Sequence, residues 1–273
     1  MLTEILKAVL LGVVEGITEW LPVSSTGHML LVDELMTLEL SGNFKGMFFV
    51  VIQLGAIMAV VLLFLKKMIP LDFSDGIKVK KQTVSLWLKV VLACVPGAVV
   101  TLLFDDFIES YLHTPSVIAS ALIFYGIAFI LVENKSENRA LRAERAEDIS
   151  YKDALLIGLF QVLSIIPGTS RSGATIIGAL IIGVSRVAAA EFTFFLAAPV
   201  MLGLSFIKLI RFGFSFNATE IAVLAAGSVT AFVVSLAVVK GLMNYVKRND
   251  FKAFGYYRII LGAVILIYYS VII

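Results

Sequence analysis

Two carboxylates, several hydroxyls and a histidine lie within fourteen residues near the start of the chain, in the stretch EGITEWLPVSSTGH, residues 15–28. Glu15 and Glu19 are four residues apart, so on a helix they share one face. Together they could hold Mg²⁺ or Ca²⁺, with water and a substrate phosphate completing the metal shell. Alternatively, one of them is a general base, or both line a solvated vestibule.

The hydroxyl residues of the same stretch lie close to its histidine. His28 follows Ser25 by three residues, so a helix brings the two side chains to the same face. A histidine in that position could activate Ser25 as a nucleophile, attack phosphorus itself, or be an ordinary helix residue with satisfied hydrogen bonds. Ser24 and Thr26 beside them are candidate phosphate-binding residues.

A second polar stretch, IPGTSRSGAT at residues 166–175, contains an arginine in apolar surroundings. A buried arginine in a membrane segment needs an anionic partner. Glu15 or Glu19 could supply it. A substrate phosphate is the other candidate, because the planar guanidinium suits bidentate recognition of phosphate. Arg171 is therefore a candidate catalytic and phosphate-binding residue.

Three hydroxyl residues accompany this arginine. Ser170, Ser172 and Thr175 could donate to phosphate oxygens, and Thr175 lies one helical turn beyond the arginine. Alternatively, the two serines only cap the helix that starts here.

The composition decides which kind of protein must position these residues. Hydrophobic residues make up 60% and charged residues 15% of the 273 positions, against about 25% charged in soluble domains. Runs of about 20 apolar residues therefore indicate membrane spans. A net charge of +2 is too small to indicate nucleic-acid binding. The lone Cys94 excludes an internal disulfide and is interpreted as a small core residue.

Six apolar runs are long enough to cross a bilayer, and they predict an all-α integral membrane protein. They cover roughly residues 47–65, 86–104, 116–133, 188–210, 219–240 and 256–272.

Basic residues fix the predicted orientation of these spans, because lysine- and arginine-rich loops stay cytoplasmic. Three segments on one side contain sixteen basic residues, and the three on the other side contain two. The basic segments are 66–89, 134–152 and 240–258; the others are 33–46, 104–115 and 209–220. The first span is thus predicted to run inward and the last to end outside.

Two segments are too polar and too broken to cross the bilayer. The charge rule places both ends of 1–40 outside and both ends of 153–186 inside, so each is predicted to be a re-entrant helical hairpin. The charged segment 134–152 is predicted to be a cytoplasmic linker between the halves 1–133 and 153–273. Since each hairpin precedes three spans, the second half is inserted upside down, as in inverted-topology repeats.

The two hairpins also resemble each other in sequence, and both break at a proline. Their restarting helices present free backbone N–H groups and a positive dipole end, which suits an anion. We expect the breaks to face one another, with the cavity open to the exterior. The matched pairs are Gly12 with Gly158, Glu15 with Gln161, Thr18 with Ser164, Pro22 with Pro167 and Ser25 with Ser170.

With these two stretches, the chain resembles the bacterial undecaprenyl-diphosphate phosphatases, also called bacitracin-resistance proteins, over essentially its whole length. The resemblance implies a metal-dependent enzyme of the bacterial inner membrane, using Mg²⁺ or Ca²⁺. Its reaction converts undecaprenyl diphosphate and water into undecaprenyl phosphate and phosphate. That reaction recycles the lipid carrier of wall polymers and blunts bacitracin.

The resemblance also assigns roles to single residues. Glu15 and Glu19 match the family's acidic motif, and Arg171 matches its phosphate-binding arginine. The remaining matches are hydroxyl residues and a histidine, namely Ser25, His28, Ser170 and Thr175.

The expected partners are a polyprenyl diphosphate and membrane lipid, with a homodimer as a further possibility and no nucleic acid. A different class remains open, a secondary transporter or a flippase for an anionic lipid, because inverted repeats with broken helices are typical of transporters.

Overall fold

The described part of the chain is almost entirely helical. The computed structural model describes residues 1–72, 77–136, 140–213 and 215–271, with the backbone alone for 105–110. Within these ranges the helices are α1 Leu2–Thr18, α2 Ser25–Leu35, α3 Gly42–Met68, α4 Lys81–Tyr111, α5 Pro115–Ser136, α6 Tyr151–Val162, α7 Arg171–Ile181, α8 Arg186–Phe212, α9 Ala218–Val246 and α10 Lys252–Val271.

Six of these helices are long and apolar enough to cross a membrane, namely α3, α4, α5, α8, α9 and α10. The predicted all-α membrane fold and its six spans are therefore confirmed. Most helices extend several residues beyond the predicted spans, because polar ends can keep their backbone hydrogen bonds. The predicted exterior loop 104–115 is helical as far as Tyr111.

A small two-stranded ribbon was not predicted. Leu71–Asp72 (β1) pairs antiparallel with Lys78–Val79 (β2) in the segment that joins α3 to α4. Four paired residues fall below the length at which alternating hydrophobicity can be recognised in a sequence.

The two short helix pairs pack against spans from the opposite half of the chain. Helix α1 lies along α9, and α6 lies along α4. Helix α5 pairs with α10, and α3 contacts both α8 and α9. The halves are therefore interleaved, so neither could be removed without stripping the other of its packing partners.

Glycines permit close approach at these crossings. A Cβ on Gly12 of α1 would lie 2.5 Å from the carbonyl oxygen of Gly227 on α9. On the other crossing, a Cβ on Gly158 of α6 would collide with the backbone of Ala93 on α4. Small residues let membrane helices approach closely enough for dispersion contacts to hold them together.

Both helix pairs break and restart in the same way. Ser24 and Ser170 each have φ of 70°, a left-handed conformation that is uncommon outside glycine. Each serine accepts a hydrogen bond through its Oγ from the backbone N–H three residues on, in Gly27 and Gly173. The structural counterpart of Ser170 is therefore Ser24, and the sequence match of Ser25 with Ser170 was one residue out of register, because the spacing that pairs Gly12 with Gly158 and Thr18 with Ser164 continues unchanged to Ser24 and Ser170.

The predicted linker is docked on the bundle. Ala143 forms a parallel bridge with Val184, and Ala146 and Ile149 are fully buried. At its exposed surface the Arg145 guanidinium donates two hydrogen bonds to Asp148 and holds the pKa of that carboxyl below its usual range. Arg139, another basic residue of this segment, lies outside the described residues. The division into two repeats joined by a linker stays a prediction.

One residue of the charge count is misplaced in the sequence analysis. Arg258 was counted with the cytoplasmic basic segment 240–258, but it lies inside α10 and has no exposed surface. The asymmetry of basic residues survives without it.

The α1–α9 crossing can be tested with a matched pair of substitutions. We expect Gly12→Leu to lower the free energy of unfolding by about 1–3 kcal/mol through overpacking. Gly241→Leu on α9, where nothing lies within 4 Å of an added Cβ, should leave stability nearly unchanged. Thermal unfolding of both variants in detergent measures the difference, and equal midpoints would contradict the crossing.

Candidate active site

A cavity of about 480 Å³ lies where the two helix breaks meet. Its wall combines the breaks with spans α3, α4 and α8. The polar lining residues are Glu19, Ser24, Ser25, Thr26, Gln53, Cys94, Thr101, Gln161, Ser164, Ser170 and Arg171. Apolar residues, among them Leu102, Met201, Leu204 and Ile207, line the rest. The site thus has a polar end and a long apolar flank, which suits an amphiphilic ligand.

The carboxylate of Glu19 joins the two breaks. One of its oxygens accepts a hydrogen bond of 2.9 Å from the Oγ of Ser25, the first residue of α2. The other accepts one of 2.9 Å from the Nη2 of Arg171, the first residue of α7. The arginine lies 152 positions after Glu19 in sequence, so two distant parts of the chain meet at one carboxylate. Two partners were predicted for Arg171, a carboxylate and a substrate phosphate. In the protein without substrate, Arg171 forms an ion pair with the carboxylate of Glu19.

Arg171 keeps capacity for a second anion. Its side chain is 11% exposed, and it lines the cavity. Within the described ranges its hydrogen bonds go to Glu19 and, through Nη1, to the carbonyl oxygen of Thr193. A guanidinium has five N–H donors, so donors remain for phosphate oxygens.

Glu15 lies behind Glu19 and away from the cavity wall. It is 1% exposed, and it lies one helical turn before Glu19 at the end of α1. Its Oε1 has no hydrogen-bond partner among the described residues. Two adjacent carboxyl groups require a proton or a cation between them. Their hard oxygen donors, one of them unsatisfied, fit Mg²⁺ or Ca²⁺. Among the described residues, no group of three or more acidic, histidine or cysteine side chains forms a metal cluster, so the remaining ligands would be water or substrate.

The restarting helices aim their N-termini at the cavity. Helices α2 and α7 begin at Ser25 and Arg171, and their caps Ser24 and Ser170 line the cavity wall. The capping role predicted as the alternative for Ser170 is therefore observed. The first N–H groups of each helix and its positive dipole end favour an anion between them. Thr26, in the first turn of α2, is exposed and also lines the cavity.

His28 is turned away from Ser25. Its Nδ1 lies 2.8 Å from the carbonyl oxygen of Ser24, and its Nε2 lies 2.7 Å from the hydroxyl of Tyr257 on α10. The two rings stack with centroids 5.6 Å apart. Both ring nitrogens thus have partners other than Ser25, and His28 is not among the residues that line the cavity.

Ser172 and Thr175 also point elsewhere. Ser172 donates across to the carbonyl oxygens of Glu19 and Leu21 in the first break. Thr175 is fully buried and bonds to its own helix and to Thr193. Both hold neighbouring segments in place and lie outside the cavity lining.

Several cavity residues escaped the sequence analysis as site residues. Gln53 was interpreted as an interhelical hydrogen bond and Cys94 as core, yet both line the wall. Gln161 is nearly buried with its Oε1 unpartnered in the described structure. The only indication in the sequence was that a polar residue inside an apolar run is energetically costly in a membrane, which makes it a candidate functional residue. Tyr257, the partner of His28, gave no signal at all.

Comparison with known proteins points to one family. Residues 8–264 match the family described as bacitracin resistance protein BacA. An undecaprenyl-diphosphatase of Enterococcus faecalis is 61% identical over 266 residues, 97% of this chain and 96% of the relative. Proteins of the same name from Desulfitobacterium hafniense and Acetivibrio thermocellus are each 54% identical, over 98% and 97% of this chain and 97% and 98% of their own.

Proposed function

The chain belongs to the BacA family of bacitracin resistance proteins, and we propose that it is an undecaprenyl-diphosphatase whose reaction takes place around Glu19. It is a multi-pass membrane hydrolase that converts a polyprenyl diphosphate into the monophosphate and inorganic phosphate. The observation that carries the site assignment is the Glu19 carboxylate, which holds a candidate nucleophile on one oxygen and a phosphate-binding cation on the other.

The cavity supports a specific placement of the substrate. The diphosphate lies between the N-termini of α2 and α7, where Arg171 and backbone N–H groups bind its oxygens. The prenyl tail follows the apolar flank formed by Leu102, Leu204 and Ile207. This arrangement keeps the charged group in the polar end of the site and the hydrocarbon near lipid.

Ser25 is the proposed nucleophile. Its Oγ attacks the terminal phosphorus, and Glu19, already 2.9 Å away as a hydrogen-bond acceptor, takes the hydroxyl proton. The bond between that phosphorus and the bridging oxygen breaks, and undecaprenyl phosphate leaves. Water then attacks the phosphoserine, and inorganic phosphate is released. Glu19 is favoured over His28 as the base because both nitrogens of His28 face other partners.

Glu15 and Glu19 are the proposed ligands of a divalent cation. When bound, Mg²⁺ or Ca²⁺ supplies positive charge that offsets the charge developing on the phosphates. The unsatisfied Oε1 of buried Glu15 supports this assignment, because a lone carboxylate oxygen away from water is unfavourable.

The cavity is proposed to face the exterior of the bacterial cytoplasmic membrane. Its lining reaches Thr101 on α4, in the half of that helix that carries no basic residue. Lys81 and Lys89 lie in the other half of α4, next to the basic segment that the charge rule assigns to the cytoplasmic side. The matching breaks at Ser24 and Ser170 support two re-entrant hairpins related as an inverted repeat. A homodimer stays a prediction.

Substitutions at the shared carboxylate test the chemistry. In purified protein, Glu19→Gln and Ser25→Ala should each lower phosphate release from a prenyl diphosphate by about 100-fold or more, since each removes a group acting in the transition state. Glu39→Gln, at a carboxylate with 84% side-chain exposure, is the matched control and should retain activity. Wild-type protein that releases no phosphate would favour a transporter; active Glu19→Gln would overturn the site assignment.

Replacing Glu15 tests the cation site. We expect Glu15→Gln to raise the Mg²⁺ concentration required for half-maximal phosphate release by about tenfold, because one of two anionic ligands becomes neutral. A Mg²⁺ titration of the chelator-treated variant and wild type measures this shift. An unchanged midpoint with reduced maximal rate would remove Glu15 from the metal site.

Cysteine labelling tests the orientation. In a Cys94→Ala background, Thr26→Cys should react with a membrane-impermeant maleimide added outside intact cells, whereas Thr175→Cys, at a fully buried position, should not react. Labelling of Thr26→Cys only in inside-out vesicles would place the cavity on the cytoplasmic side.

A further inference from the structure

Arg258 is a buried cation that binds both helix breaks at once. It lies on α10 and has no exposed surface. Its Nη1 donates to the carbonyl oxygen of Pro22 at 3.1 Å. Its Nη2 donates to the carbonyl oxygens of Gly168 and Thr169, both at 2.8 Å. One side chain from the last helix therefore joins two turns that are nearly 150 residues apart in sequence.

These carbonyls lie directly before the two helix caps. Pro22 precedes Ser24 by two residues, and Gly168 and Thr169 immediately precede Ser170. Backbone that turns through a left-handed residue leaves its preceding carbonyls without helical donors, and buried carbonyls need partners. Arg258 supplies donors to both turns, so its position determines where α2 and α7 begin relative to each other.

A guanidinium suits this task better than any other side chain. Its fork directs N–H groups from a rigid plane toward separate acceptors, whereas a lysine ammonium is a single point of donation on a flexible stem. Burying a cation without a carboxylate is costly, yet every hydrogen bond that this guanidinium donates to the described residues ends on a backbone carbonyl oxygen. The Tyr125 ring lies 5.9 Å away and adds a weaker cation–π contact.

The space around the fork is closely filled. A Cβ on Gly173, in the first turn of α7, would lie 3.0 Å from Nη1. The guanidinium thus touches the turns and the start of the second helix without entering the cavity lining. Its influence on the substrate would pass through the segments it holds.

We propose that Arg258 is a positioning residue that fixes the register of the two breaks, and with it the distance between Ser25 on one hairpin and Arg171 on the other. The proposal rests on the function proposed above. In that reaction the first hairpin supplies the attacking oxygen and the second binds the phosphate. A small shift between them separates nucleophile from phosphorus while leaving the phosphate contacts of Arg171 intact.

The test uses Arg258→Lys, which keeps the charge and loses the fork. Phosphate release per folded molecule should fall by about 100-fold, the scale expected for a misplacement of about 1 Å. KM for the prenyl diphosphate and inhibition by inorganic pyrophosphate should change by less than about threefold, since phosphate binding is retained. Arg186→Lys, at an arginine paired with Glu133 outside the cavity, is the matched control and should keep wild-type activity.

A second measurement separates positioning from a simple loss of stability. Spin labels at Leu35 on α2 and Ile181 on α7, in a Cys94→Ala background, report the distance between the two hairpins in nanodiscs. We expect one narrow distribution in the otherwise unchanged protein and a broadened or shifted one in Arg258→Lys. If the lysine variant yields no folded protein, Arg258→Gln takes its place in every measurement.

The outcomes distinguish this inference from the proposed function. If wild type releases phosphate but Arg258→Lys matches it, or loses activity only in proportion to its folded fraction with an unchanged label distance, Arg258 is not a positioning residue. If wild type releases no phosphate, the proposed function fails, and the label distances alone then decide whether Arg258 sets the register of the hairpins.

Discussion

An ionised group inside a membrane protein must find a partner of opposite charge or a dense set of hydrogen bonds, and the Glu19 carboxylate is where this chain meets that demand. Ser25 satisfies one oxygen and Arg171 the other. Because the two partners begin helices from different halves of the chain, satisfying one carboxylate requires both halves to come together. The electrostatic constraint thus brings together the three groups that we propose as nucleophile, base and phosphate-binding cation.

The two helix breaks impose a second requirement, because backbone polar groups away from water must be hydrogen-bonded. The turns before Ser24 and Ser170 satisfy part of it with serine caps. Arg258 and Ser172 supply further donors to carbonyl oxygens of the turns. What these groups leave unused are the helix N-terminal N–H groups that face the cavity. These backbone N–H groups can therefore bind phosphate oxygens alongside the guanidinium of Arg171.

Interleaved packing gives these groups a rigid setting. Helix α1 rests on α9 and α6 rests on α4, with glycines at both crossings. Each helix break is therefore held by spans of the other half as well as by its own. The apolar flank of the cavity is built from α4 and α8, which are ordinary membrane spans. In the proposed placement, the lipid tail contacts these helices while its charged head reaches the polar end of the same cavity.

The sequence by itself determined the membrane class, the six spans and the two polar breaks, because hydropathy, proline and glycine act locally. The family came from the resemblance carried by the two polar stretches. It also identified Glu19, Ser25 and Arg171, since polar residues in apolar runs are conspicuous. Only the tertiary structure decided which of the polar residues face the cavity. His28 and Thr175 share a helix face with site residues, yet Tyr257 and Thr193 engage them elsewhere. Arg258 looked like part of a basic loop and lies in the core between the breaks. Helical periodicity specifies a face, whereas the partner that packs against that face comes from a distant part of the chain and is fixed only when the helices assemble.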